Sequence, residues 1–312
     1  MIDYDSLAPV ISHMAKTGEG TDACLAQGCL PMRVHYYSPV PNIADLEQRA
    51  VWERCSPMSG IEMHHEEQVE LLKKLAVLYA NECNFPAHPT SHPEEFYTHN
   101  ESFSYLCAAS THYLIRAFMP ERVIEVGSGY SSRVISRALS FNNQVKPSKA
   151  DYTVVDPYPR IQSLNLSALK KIITQKVELL PGSFFSQLQQ NDILFIDSSH
   201  TVRTGGDVNA LILDILPNLA PGVLIHFHDI PLPFEYSRSY FTNPKFRVFW
   251  TEAYLLQAFL SFNTEFEVLL AMLYLENKVP QLFQVCFPYY KPGDPISGSF
   301  WIRRCIKKAV SL

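Results

Sequence analysis

Val123-Ile-Glu-Val-Gly-Ser-Gly-Tyr-Ser-Ser132 reads as an apolar strand, a glycine turn and the start of a helix. Glycines at 127 and 129 let the backbone turn sharply and pass close to a ligand, where a Cβ would collide. The dinucleotide fingerprint asks for a third glycine three residues on, and position 132 is serine. A carboxylate inside the turn, Glu125, would also repel a pyrophosphate and suits a ligand carrying positive charge. The next strand ends in Asp156, an acidic residue placed to accept hydrogen bonds from the two hydroxyls of a ribose. A third strand runs into Pro181-Gly-Ser183, a turn suited to an adenine edge, with Ser183 as the contact. Gly127, Gly129 and Asp156, in register at successive strand ends, point to a nucleoside-type ligand more firmly than any one of them.

Around this stretch, short apolar runs alternate with helical segments. Strands are expected at Arg122–Val126, Tyr152–Asp156, Val177–Leu180, Asp192–Asp197, Val223–His228, Glu267–Tyr274 and Ser299–Arg303. Helices are expected at Ser131–Ser140, Ile161–Thr174, Asp207–Leu216 and Trp250–Phe262. This alternation predicts an α/β fold with a parallel sheet, whose ligands lie beyond the carboxyl ends of the strands. Residues 1–100 have a different character, with proline and histidine clusters such as His88-Pro-Thr-Ser-His-Pro93. They are expected to form a partly helical cap or extension, preceding a core at 101–312. Within the cap, Val69, Leu72, Leu75, Ala76 and Tyr79 recur at helical spacing and predict an amphipathic helix over Glu62–Ala80. His64 and His65 at its start point about 100° apart and do not easily share a metal. A second helix, Ser102–Met119, ends before Pro120.

The 312 residues carry a net charge of −5 and a pI near 6.1, which argues against a nucleic-acid partner. The basic group Arg303-Arg304…Lys307-Lys308 reads as a solvated chain end. No positively charged leader with an apolar stretch opens the sequence, and no apolar run reaches the ~18 residues of a membrane span, so no membrane partner is expected. Seven cysteines without a CxxC pair suit a reducing cytoplasm.

Residues from about 120 to 303 resemble the class I S-adenosylmethionine (SAM)-dependent methyltransferase superfamily. Glu125, Gly127 and Gly129 match its E/D-x-G-x-G motif, and Ser131 stands where a third glycine is usual. Asp192-Ile-Leu-Phe-Ile-Asp-Ser-Ser-His200 and Ile225-His-Phe-His-Asp229 resemble, more narrowly, metal-dependent sugar O-methyltransferases and cephalosporin-hydroxylase-like proteins. The resemblance implies a Rossmann-like seven-stranded sheet of order 3-2-1-4-5-7-6, with strand 7 antiparallel and helices on both faces. It also implies SAM across the first two strand ends. Asn100 and Tyr105, just before the core, are placed to cover that cofactor.

On the reacting side, Asp197 ends the fourth strand and His228-Asp229 the fifth. Carboxylates and an imidazole can hold a divalent ion such as Mg²⁺, Mn²⁺ or Fe²⁺. In metal-dependent O-methyltransferases a base sits three residues after the first ligand, and here that residue is His200. His226 reads as a core histidine, and Pro231-Leu-Pro-Phe-Glu-Tyr236 as a wall of the acceptor pocket. The expected function is SAM-dependent O-methylation of a small-molecule or sugar hydroxyl, with Asp197 and His200 catalytic. Its rivals are a hydroxylase-like enzyme of secondary metabolism and a non-catalytic SAM-fold binding partner. The extension is expected to close over the acceptor or to make a homodimer contact.

Overall fold

The computed structural model describes residues 3–146, 149–291 and 293–306; Lys307 and Lys308 of the basic C-terminal group lie outside them. The helices in chain order are α1 (Tyr4–Thr17), α2 (Thr21–Leu25), α3 (Ile43–Gln48), α4 (His65–Tyr79), α5 (Tyr105–Phe118) and α6 (Tyr130–Val145). They continue with α7 (Asp207–Asn209), α8 (Arg238–Thr242), α9 (Glu252–Leu260), α10 (Met272–Lys278) and α11 (Pro280–Cys286). The strands are β1 (Arg122–Val126), β2 (Asp151–Val155), β3 (Leu169–Ile173), β4 (Ile193–Ile196), β5 (Leu224–Phe227), β6 (Phe266–Ala271) and β7 (Phe300–Arg304).

The chain forms two compact units, one of Met1–Arg54 with Glu235–Phe249 and one of Cys55–Phe234 with Trp250–Leu312. The smaller holds α1, α2, α3 and α8. There Asp3 caps α1 by accepting from the amides of Asp5 and Ser6, and Trp52 packs its ring 4.9 Å from Phe241.

The larger unit contains one sheet of order β3-β2-β1-β4-β5-β7-β6, flanked by helices, with β7 antiparallel to both β5 and β6. Its middle strands explain the apolar runs. All four residues of β4 and all four of β5 are buried, as expected where helices cover a parallel sheet on both sides. Asp192 fixes the entry to the site strands. Its buried carboxylate accepts from the amides of Arg122 (2.7 Å), Glu121 (2.9 Å) and Gln189 (2.9 Å), tying the start of β1 to the start of β4.

Two expectations fail around the third strand. Leu169–Ile173 pairs with β2 as the edge strand, where a helix over Ile161–Thr174 was expected, and Val177–Leu179 is a 3₁₀ turn. Lys170 and Lys171 face solvent, so the apolar alternation that marks a strand is weak; paired lysines at an edge also discourage association with another sheet. The expected strand Glu267–Tyr274 likewise stops at Ala271, and α10 follows directly.

The compact units divide the chain elsewhere than at residue 100. Val69, Leu72, Leu75 and Ala76 of α4 join Cys83, Phe85 and Phe96 in one core cluster with Leu106, Tyr113 and Leu114 of α5. Gln68 Oε1 accepts from the amide of Ala271 at 2.7 Å, bonding α4 to the end of β6. A truncated chain beginning near Glu95 is therefore expected to unfold. Fully burying one such apolar side chain contributes about 1.5–3 kcal/mol, and removing several exceeds a typical stability of about 5–15 kcal/mol. A chain beginning at Cys55 should keep cooperative unfolding, which circular dichroism during urea titration would register. Among the described residues, no helix is long and apolar enough to cross a membrane.

Candidate functional site

A cleft of about 420 Å³ opens where the strand order reverses between β1 and β4, at the carboxyl ends of β1, β2 and β4. Val126, Gly127 and Ser128 form one side; Asp156 and Tyr158 a second; Val177 and Glu178 a third; Asp197, Ser198 and Ser199 the fourth. Gly127 has φ +83, and a Cβ built there would lie 2.2 Å from the carbonyl oxygen of Asp197. The Gly127 amide bonds Val155 O at 3.0 Å and the Asp197 amide bonds Val126 O at 2.9 Å, lacing the three strand ends together. Gly129 differs: its backbone is extended (φ 168), and no atom lies within 4 Å of a Cβ built there.

Asp156 is held ready. Its Oδ2 accepts from Ser128 Oγ at 2.5 Å and its Oδ1 from the amide of Tyr158 at 2.8 Å. Each carboxylate oxygen retains a second lone pair.

Glu125 does not line the cleft. It is fully buried, and its oxygens accept from Ser131 Oγ (2.6 Å), Ser132 Oγ (2.8 Å) and the Tyr152 hydroxyl. Burial raises its pKa to about 7 against the effect of those three bonds. Ser132 Oγ also accepts from the Gly129 amide at 3.1 Å, so the carboxylate holds the glycine turn to α6. Glu125→Gln should thus destabilise the fold, because its amide cannot accept from all three hydroxyls. The expected cost is about 1–3 kcal/mol, read by urea unfolding.

Four other expected cofactor contacts, Gly129 among them, also lie outside the cleft wall. Ser183 is exposed. Asn100 is buried and closes its own loop, bonding Tyr97 O, Phe103 O and the amides of Ser102 and Phe103. Tyr105 is buried with its ring 6.3 Å from that of Phe85 and 6.4 Å from that of Phe287.

At the ends of β4 and β5 the expected reacting residues do converge. His200 Nε2 lies 3.2 Å from Asp197 Oδ1 and 4.0 Å from Asp229 Oδ2. His228 Nδ1 lies 3.4 Å from Asp197 Oδ1 and 3.5 Å from Asp229 Oδ2. His200 (φ 56) and Asp229 (φ 54) both hold left-handed backbone, a costly conformation that concentrates at functional sites. The cluster is electrostatically tight. Burial disfavours a charged His200, yet its bonds to Asp197 and Glu252 raise its pKa to about 10. Burial likewise works against the Asp197 carboxylate, but the two imidazoles beside it hold its pKa well below the carboxylate range. His228 is raised in the same way by Asp229 and Asp197 against the cost of burial. His200 thus stands well above the ordinary imidazole value. His226 is a core residue, stacked 3.9 Å from the Phe195 ring with Nε2 3.0 Å from Ser299 Oγ.

The donor types at this cluster suit a divalent ion, but their arrangement does not. Among the described residues, no group of three or more His, Cys, Asp or Glu side chains is placed to hold one. The four side chains instead pair with one another.

Residues missed by the sequence reading are Tyr158, Glu178 and Ser198 on the cleft and Glu252 behind His200. Tyr158 follows Asp156 by two, and an aromatic in the loop after a strand-ending aspartate was the available signal; its side chain is 80% exposed. Glu252 had none, because its partner lies 52 residues away.

The sheet order and the antiparallel last strand define a class I SAM-dependent methyltransferase-like fold. A family model described as a methyltransferase domain matches residues 124–230. An uncharacterized protein of Archaeoglobus fulgidus is 28% identical over 183 residues, which cover 54% of this chain and 80% of that protein. Among solved structures, an SAH-bound methyltransferase of Podospora anserina aligns over 88% of this chain and 99% of its own, at 15% identity and a TM-score of 0.40. An O-methyltransferase from Bacillus cereus in complex with SAH aligns over 64% and 82%, at 14% identity and a TM-score of 0.34.

Proposed function

We propose that this chain is a SAM-dependent methyltransferase that methylates a hydroxyl of a small molecule or sugar. The carrying observation is the cleft at the β1/β4 reversal, with Gly127 open to it and both Asp156 oxygens preset by Ser128 and Tyr158. Asp156 would take the ribose hydroxyls, and the exposed Tyr158 ring offers a face for the adenine. The sulfonium already makes the methyl group electrophilic, so the protein's work is to align an in-line attack and take the acceptor's proton. Asp197, on the cleft wall and 3.2 Å from His200 Nε2, joins the cofactor side to the proton-accepting side. His200 is held as a cation, so it must shed its Nε2 proton before it can accept one from the acceptor.

A divalent ion at Asp197, His228 and Asp229 is the finer part of this reading, supported by donor chemistry alone. The proton route above uses only the chain's own groups. Chelation that abolishes turnover while SAM stays bound, with Mg²⁺ or Mn²⁺ restoring it, would support the ion. Full turnover after chelation would remove it. The seven free thiols fit the reducing cytoplasm proposed as its compartment, and a homodimer contact remains a proposed role for the N-terminal region.

The cofactor assignment is tested by titration calorimetry with SAM. Asp156→Ala should weaken binding about ten- to a hundred-fold, the loss of hydrogen bonds to a charged acceptor. Unchanged affinity, or tight binding of NAD in its place, would overturn the assignment.

A further inference from the structure

The carboxylate of Glu252, the first residue of α9, is placed behind His200 and is spent entirely on the site. Glu252 is completely buried, its Oε2 lies 2.8 Å from His200 Nδ1, and its Oε1 accepts from Ser198 Oγ at 3.0 Å. Ser198 Oγ in turn accepts from the His200 amide at 3.1 Å. The amides of Thr251 and Glu252 donate to the His200 carbonyl at 2.8 and 3.1 Å, and the Trp250 ring lies 4.5 Å from the imidazole. His200 is thus held by backbone, ring face and one nitrogen, in a left-handed conformation that a non-glycine residue rarely keeps unaided.

We propose that Glu252 is the positioning residue of His200, holding the Nδ1–H so that the exchangeable proton sits on Nε2. Which imidazole nitrogen carries a proton is decided by the bond the other makes. With Nδ1 committed to a buried carboxylate, Nε2 alone faces the reacting side, 3.2 Å from Asp197 and 4.0 Å from Asp229. A ring rotated by half a turn would set Cδ2 against buried Glu252 and Cε1 against Asp197, leaving both carboxylates opposite carbons. Glu252 is not itself on the cleft wall and reaches the site through His200 and the cleft residue Ser198. The inference rests on the reading of this cluster as the reacting side of a methyltransferase.

Its test is separable from that reading because it needs no acceptor. A buried imidazole N–H donating to a carboxylate gives a slowly exchanging, downfield proton resonance, and in ¹⁵N-histidine-labelled protein it is assigned to His200 Nδ1 by its loss in His200→Asn. That resonance should vanish in Glu252→Ala and move upfield in Glu252→Gln, whose neutral oxygen is a weaker acceptor. Calorimetry should find SAM affinity within about twofold of wild type in both variants. The Thr251 and Glu252 backbone bonds survive either substitution, so a merely structural role would leave the resonance in place. Its absence from the wild-type protein, or an unchanged shift in Glu252→Ala, overturns the proposal. Should Glu252→Ala fail to fold, the isosteric Glu252→Gln decides: an unmoved resonance there is equally fatal. Loss of SAM binding by the wild-type chain would instead strike the methyltransferase reading and leave the Glu252–His200 assignment to its own result.

Discussion

Gly127→Ala is expected to abolish measurable SAM binding and to destabilise the larger unit by more than about 3 kcal/mol. Two independent costs add at this position. The backbone at φ +83 is one that side chains rarely adopt, at a cost of about 1–3 kcal/mol. The added methyl would also sit 2.2 Å from the Asp197 carbonyl, far inside contact distance, and the obstacle is backbone at the junction of two central strands. Relief requires β1 and β4 to part at the cleft, breaking the 2.9 Å bond from the Asp197 amide to Val126 O. Gly129→Ala is the matched control. Its backbone is extended and the methyl meets nothing, so its melting temperature should stay within a degree or two of wild type, since surface changes fall within about 0.5 kcal/mol. Thermal unfolding of both variants, with SAM calorimetry on each, separates the roles. Equal stability of the two would show that the β1–β4 approach does not need a glycine.

The sequence was informative where one residue had one physical reason to be where it is. The β1 turn and the strand ends at Asp156, Asp197 and His228-Asp229 were legible because glycine, aspartate and histidine punctuate otherwise apolar strands. In the sheet their strands stand in the order β2-β1-β4-β5, with the reversal beside β1 that opens the cleft. Glu125 shows the limit. Its place in the motif was visible, but charge alone suggested that it faces a cationic ligand, whereas its oxygens are consumed by Ser131, Ser132 and Tyr152. The third strand was missed because Leu169-Lys-Lys-Ile-Ile173 has no clean period, and only pairing with β2 makes it extended. The expected boundary at residue 100 rested on proline and histidine clusters, which are local features. Compactness follows long-range burial instead, and α4 packs on α5. Glu252 was beyond reach for the same reason, since a lone glutamate at the start of a helix reads as solvated until the fold buries it.

His200→Ala is expected to cost about 3–5 kcal/mol at neutral pH, because it leaves buried Glu252 without its cation and Asp197 with His228 alone. The pH dependence makes this specific. His200 titrates in the fold near pH 10, above the ordinary imidazole value of about 6.5. Its pairing therefore contributes fully below about pH 6.5 and fades as pH climbs from there toward 10. Asp197 works in the opposite sense: its folded pKa is depressed, so its share is present above the ordinary aspartate value and is lost as pH falls below it. The stability difference between wild type and His200→Ala should accordingly be largest near pH 6 and shrink steadily on the alkaline side, in urea titrations run from pH 6 to 10. Turnover has the reverse slope. A His200 that must lose its Nε2 proton before accepting another gives a rate that rises with pH across the same window, and His200→Ala should lower it by about 10²–10⁴. A stability difference flat from pH 6 to 10 would mean that His200 is not held as a cation between Asp197 and Glu252. A rate that levels off near pH 7 would place its working pKa at the ordinary imidazole value and require something other than these two carboxylates to set it.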